Sequence, residues 1–170
     1  SHGSEPSFDN QQWSISAVGD FSVWTRQTEL ADSDYTYPKP VNAPDGSGGG
    51  DLYLFHRHTG SSEMPLRVQS AGYTGGGGLS FGSTTEIVNF ASERIYAGTC
   101  KLIGSDVLIC WCRADNGDTY RKDVYFAWYD TGTGSLWNID KSVEVTSANL
   151  PLDRASADAD FRTHSPAQND

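Results

Sequence analysis

The chain has 170 residues, enough to bury one good core, and carries a formal net charge of −10. Its 12 basic residues are scattered, which opposes nucleic-acid binding, where clustered Lys and Arg must neutralise phosphates. The 18 glycines and many aromatics fit an ordered β protein better than a disordered acidic one, and no apolar run reaches the ~18 residues of a membrane span.

Trp13–Ser16 and Phe21–Thr25 alternate apolar and polar residues around a turn at Gly19-Asp20, the pattern of a half-buried hairpin. The stretch Asp32–Pro44 is turn-rich, and Pro38, Pro40 and Pro44 exclude a central strand there. Tyr35 and Tyr37 alternate on one face of it, as core or as ligand-facing residues. Leu52–Arg57, Asp106–Arg113 and Val124–Tyr129 are short, β-branched and aromatic runs bounded by Gly, Asp and Asn, hence buried strands. Leu136-Trp137 and Ser142–Val145 extend the last of these into an antiparallel meander. The loops Ser47–Gly50 and Gly75–Gly78 lack the Lys-Ser/Thr and the helix of a phosphate loop, so they are expected to be flexible connections. Ser147–Asp160 reads as a polar connection, Phe161–His164 follows it, and no segment has helical periodicity. No signal peptide is visible, so a secreted form of the chain would already have lost its signal.

The meander occurs twice. An offset of 56 places Leu52–Arg57 on Leu108–Arg113, Phe81 on Trp137 and Ile87 on Val143, and a fainter third copy ends at Trp24. The chain is therefore expected to be a single all-β domain over 1–170, with two full units at about 31–90 and 91–146 flanked by partial ones. Repeated antiparallel meanders of this length suggest propeller blades; a β-sandwich with two similar hairpins is the alternative. A closed propeller needs at least four blades, so self-association or the remainder of a longer chain is expected to cover the open faces.

In the hairpin Cys100–Cys110, a three-residue loop would set Cys100 opposite Cys110, within disulfide reach, and a two-residue loop would set it opposite Ile109. Without a second Cys or His pair at zinc spacing, Cys100, Cys110 and Cys112 read as buried free thiols. His56-Arg57-His58 is the most reactive-looking cluster, with the two histidines on one strand face and Arg57 on the other beside Tyr53 and Phe55. Arg57 and Arg113 are equivalent at the offset of 56, and each suits a bidentate carboxylate or a local Asp. No cofactor is expected; Asp115 and Asp118 offer oxygen ligands for calcium in a tight turn, without the later bidentate acid of an EF-hand.

Tyr35–Pro38, Pro44–Gly46, Gly50–Gly60, Arg94–Tyr96, Asp123–Ala127 and Trp137–Asp140 together resemble the BNR-type repeat proteins of the sialidase-like β-propeller class, in the branch that includes ulvan-type polysaccharide lyases. The chain departs from the Asp-box pattern, since Tyr129–Trp137 has two residues too many between Asp and Trp, and Ser70–Phe81 has no Asp. The resemblance implies an extracellular, cell-surface or virion-surface protein that binds or acts on an acidic polysaccharide. In lyase chemistry an Arg would neutralise the uronate while His or Tyr moves the proton. His56, His58 and Tyr96 are then the catalytic candidates, and Arg57, Arg113, Tyr35 and Tyr37 the substrate-binding ones. The reading from another class is a non-catalytic subunit of an extracellular fibre or viral tail.

Overall fold

The computed structural model describes residues 14–15, 25–26, 35–43, 51–58, 63–73, 79–115 and 120–164. The chain is all-β. Strand β1 (Ser14–Ile15) pairs antiparallel with β2 (Thr25–Arg26), as expected for the first hairpin, whose turn, like Trp24, lies outside the described residues. A four-stranded sheet follows, with β3 (Tyr35–Ala43), β4 (Asp51–His58), β5 (Leu66–Tyr73) and β6 (Leu79–Val88) adjacent in chain order. The second sheet repeats this with β7 (Glu93–Ile103), β8 (Asp106–Asp115), β9 (Lys122–Asp130), β10 (Leu136–Trp137) and β11 (Glu144–Val145). The proline-rich β3 takes the edge of its sheet, where a missing N–H breaks no ladder.

The repeat is visible in the pairing. Arg57 faces Leu66 and Arg113 faces Lys122, so both partners shift by 56, and Phe81 and Trp137 each lie on the fourth strand of their own meander. Alternation then decides burial: Val107, Ile109 and Trp111 on β8, with Tyr125, Ala127 and Tyr129 on β9, turn one face to the core. From the other sheet, Tyr53 and Phe55 bring their rings to 6.0 and 5.4 Å from Tyr129, while Phe90 sits 5.4 Å from Tyr125. Trp111 stacks on Tyr125 at 5.4 Å with 9° between the ring planes. The opposite face of the first sheet is buried too, at Leu54, His56 and Gln69.

Tyr53 and Ile109, and likewise Phe55 and Trp111, which the offset of 56 relates, all belong to one buried cluster. One residue of register inverts a strand face, so the repeat length alone does not say which faces meet.

Ile103 pairs with Asp106 across a two-residue turn in which Gly104 has φ 66°, the II′ arrangement that suits twisted hairpins. Cys100 therefore faces Ile109, and Cys100, Cys110 and Cys112 are free thiols. Burial, and then the neighbouring Cys110, pushes the Cys100 thiol up to about 12, so it behaves as a small apolar side chain. Between Ala97 and Cys100, Gly98 and Thr99 together oppose Cys110 in a bulge. The Thr99 N–H donates to Cys110 Sγ at 3.2 Å, and a Cβ on Gly98 would stand 2.5 Å from that sulfur. Gly98→Ala is expected to cost about 1–3 kcal/mol in urea unfolding, by overpacking, and the double variant Gly98→Ala/Cys110→Ala to recover most of it. An unchanged midpoint in the single variant would show that the bulge relaxes freely.

The stretch after Ser147 corrects the expectation of a polar connection without helix. Arg154–Ser156 is a short helical turn, α1, continued by a π turn over Ala157–Phe161, and Arg162–His164 forms β12 on β9. Leu152 bridges in parallel to Val88 at the end of β6, with Leu152 N–H donating to Ile87 O at 3.0 Å and Asn89 N–H to Leu152 O at 3.1 Å. The segment straps one sheet to the other and inserts Leu152, Ala157 and Phe161 into the shared core. A strap needs only isolated apolar anchors, which leave no periodic signal.

Candidate functional site

Alternation along β4 sends His56 and His58 to one face and Arg57 to the other, as the sequence requires. His56 has no exposed surface and lies opposite Arg67 of β5. Burial, and then the Arg67 charge, pushes its imidazole down to about 3. His56 is thus a buried imidazole held neutral at ordinary pH, on the sheet face opposite the shared core. His58 is half-buried at the strand end, and its N–H donates to Pro65 O at 3.0 Å.

Arg57 reaches the seam between the sheets, where β3 and β4 approach β7. Its guanidinium carbon lies 4.9 Å from the Tyr37 ring centroid and 4.8 Å from that of Tyr96, and the two rings meet edge to face at 5.8 Å. Nε donates to Thr36 Oγ1 at 3.0 Å, while Nη1 is buried without a hydrogen-bond partner. Among the described residues no carboxylate pairs with this arginine, although only 8 % of its surface is exposed. The pairing of β3 with β4 shifts between Thr36 and Lys39, and Tyr37 sits in that irregularity at φ 55°. An aromatic residue held in the left-handed region stores strain of order 1–3 kcal/mol, which the contacts around Arg57 offset. Arg121, exposed just before β9, continues the stack with its guanidinium carbon 4.6 Å from the Tyr96 centroid. Tyr35 pairs through its backbone with His58, and its side chain lies outside the described residues.

Arg113, equivalent to Arg57 in the repeat, has an opposite environment. Nε donates to Asp123 at 2.7 Å, Nη1 to Asp115 at 2.6 Å and more distantly to Glu93 at 3.5 Å. Arg154 of the strap joins the same carboxylates, with Glu93 at 2.8 Å, Asp123 at 3.4 Å and Asp158 at 2.8 Å, and Tyr125 Oη donates to Asp158 at 2.7 Å. Arg113 thus ties together carboxylates of β7, β8 and β9 within the second sheet, while Arg154 fastens the strap to two of them, Glu93 and Asp123. Asp115 accepts from Lys122 Nζ at 2.6 Å as well; that bond, together with the charges of Lys122 and Arg113, holds its carboxyl below the ordinary range. Calcium at Asp115 would have to displace both cations, and Asp118 lies outside the described residues. Among the described residues no group of three or more His, Cys, Asp or Glu side chains is placed to hold a metal ion.

Of the expected site residues, Arg57, Tyr37 and Tyr96 come together, while Arg113 and His56 are drawn into other contacts. Arg121 and Thr36 complete the cluster. Neither carries a sequence signal, because each joins it through a cross-strand or cross-sheet neighbour and not through spacing along the chain. The arrangement brings two guanidinium groups over the half-buried Tyr96 ring, one of them also over Tyr37. No protein-family model matches the chain, and no curated protein matches it.

Proposed function

We propose that the chain is a non-catalytic module that binds an acidic glycan at the seam of Tyr37, Arg57, Tyr96 and Arg121. The observation that carries this reading is the Arg57 guanidinium, which lies over two tyrosine rings with Nη1 unpartnered and no carboxylate beside it among the described residues. In a chain of net charge −10, a nearly buried arginine without a counter-charge among the described residues favours an anion supplied from outside. Exposed Arg121 provides the entry to it and the electrostatic attraction. Tyrosine faces suit sugar rings, and the likeness to sialidase-like propellers points to the same ligand class. Of the three residues a lyase could use here, His56 is buried, while His58 and Tyr96 are half-buried.

Titrating oligogalacturonate against neutral dextran tests the reading. Oligogalacturonate is expected to bind and dextran not to bind, and Arg121→Ala should weaken binding by about tenfold, near 1.4 kcal/mol. Equal binding of both polymers, or an unchanged affinity in Arg121→Ala, would remove the basis for the assignment. Release of an unsaturated product, followed by its absorbance, would show that the module is an enzyme after all.

A further inference from the structure

The group that an anion would need at the seam is covered. Arg57 Nη1 is buried without a hydrogen-bond partner, and the guanidinium carbon lies 4.9 Å from the Tyr37 centroid and 4.8 Å from that of Tyr96. An anion reaches this nitrogen only after something over it moves, and the two rings differ in the backbone that carries them. Tyr96 belongs to a regular stretch of β7, where Ile95, Tyr96 and Ala97 pair in turn with Arg113, Cys112 and Trp111. Tyr37 does not. Thr36 pairs with Arg57 and Lys39 with Phe55, so Tyr37 and Pro38 together oppose His56 in a bulge of an edge strand. Pro38 has no N–H to give to a ladder and favours extended backbone in the residue before it, whereas Tyr37 stands at φ 55°. The Tyr37 ring is therefore held over Arg57 against its own backbone preference. Both flanking pairs can persist while the Tyr37 backbone changes region. Thr36 also accepts from Arg57 Nε at 3.0 Å, which keeps the guanidinium in place when the ring leaves.

We infer that Tyr37 is a gate over Arg57, with a closed state at positive φ and an open state in the extended region that uncovers Nη1. Its part in binding rests on the acidic-glycan reading above, to which it adds control of access. Opening gives up the contacts of the ring with the guanidinium and with Tyr96, and it releases the backbone strain. Opposing terms of similar size leave the two states close in free energy. An anion that pairs with Nη1 only in the open state shifts the population towards it.

Labelling with phenylglyoxal, which adds to exposed guanidinium groups, reads the gate without any glycan when the Arg57 and Arg121 peptides are followed by mass spectrometry. In the wild type Arg57 is expected to label about tenfold more slowly than exposed Arg121. Tyr37→Ala should raise the Arg57 rate about fivefold, and Tyr37→Phe, which keeps the ring, should not. Pro38→Ala keeps the ring and removes the pull towards extended backbone, so it should slow Arg57 about threefold, an effect that a ring serving only as cover would not show. Circular dichroism checks that each variant folds. Arg57 labelling unchanged in Tyr37→Ala, or not slowed in Pro38→Ala, would overturn the gate, and the seam reading would still stand on the weakening of oligogalacturonate binding by Arg121→Ala. Stopped-flow mixing with oligogalacturonate tests the link between the two: the observed rate should level off with rising concentration in the wild type and rise linearly in Tyr37→Ala. A linear rate in the wild type would overturn the gate as a step in binding. Absence of binding by a protein whose labelling behaves as expected would overturn the acidic-glycan reading and keep the gate.

Discussion

Phe161→Ala is expected to lower the stability of the chain by about 3–5 kcal/mol, a large share of the 5–15 kcal/mol typical of a domain. Phe161 keeps only 1 % of its surface exposed and lies in the core shared by both sheets, at the end of the π turn from which β12 reaches β9. Its removal leaves a cavity that the sheets cannot close without losing the strand pairing of Arg162 with Tyr125. The parallel variant Phe161→Leu keeps most of the volume and should cost about 1 kcal/mol. Urea unfolding followed by tryptophan fluorescence measures both. A loss below 1 kcal/mol for the alanine variant would mean that the strap does not hold the sheets together.

Stability is also expected to fall as the pH drops below 6.5, well before the carboxylates titrate, because of His56. Its folded pKa, about 3, lies below the unfolded value of 6.5. Between these values the unfolded chain binds a proton that the folded chain refuses, so the contribution is fully present above pH 6.5 and is lost on acidification. The slope approaches 1.4 kcal/mol per pH unit, or roughly 3 kcal/mol by pH 4. Asp115, whose folded pKa is depressed, adds a loss of the same sign only as the pH falls below its ordinary value of 3.8. Thermal unfolding of the wild type and of His56→Gln between pH 7 and 4.5 isolates the histidine: the variant should lose most of the slope. An equal slope in both proteins would show that His56 is accessible to protons in the folded state, and would reopen a catalytic role for it.

The two meanders were legible in the sequence because strand identity is local. Runs such as Leu52–Arg57 and Val124–Tyr129 are apolar, β-branched or aromatic, and closed off by turn residues, so each specifies its own strand. Pro38 and Pro40 excluded a central strand, a constraint of the backbone itself, but the stretch read as turn-rich is in fact the nine-residue edge strand β3. The strap was not legible, because Leu152, Ala157 and Phe161 acquire meaning only from the sheets they join.

For the candidate site the division is sharper. Side-chain alternation on β4 determined from sequence alone that His56 and Arg57 would part company, and the cluster of His and Arg drew attention to the right strand end. Tertiary structure decided their environments. Arg57 and Arg113 are equivalent in the repeat, yet one lies over two tyrosine rings with no carboxylate beside it among the described residues and the other among Asp115, Asp123 and Glu93. The reason is that a guanidinium takes whatever partner lies within a few ångströms, and at Arg57 those neighbours come from β3 and β7, at Arg113 from β7, β9 and the end of β8 itself. Sequence determined which residue types line each strand face; packing of one layer on another determined which of them remained free to meet a ligand.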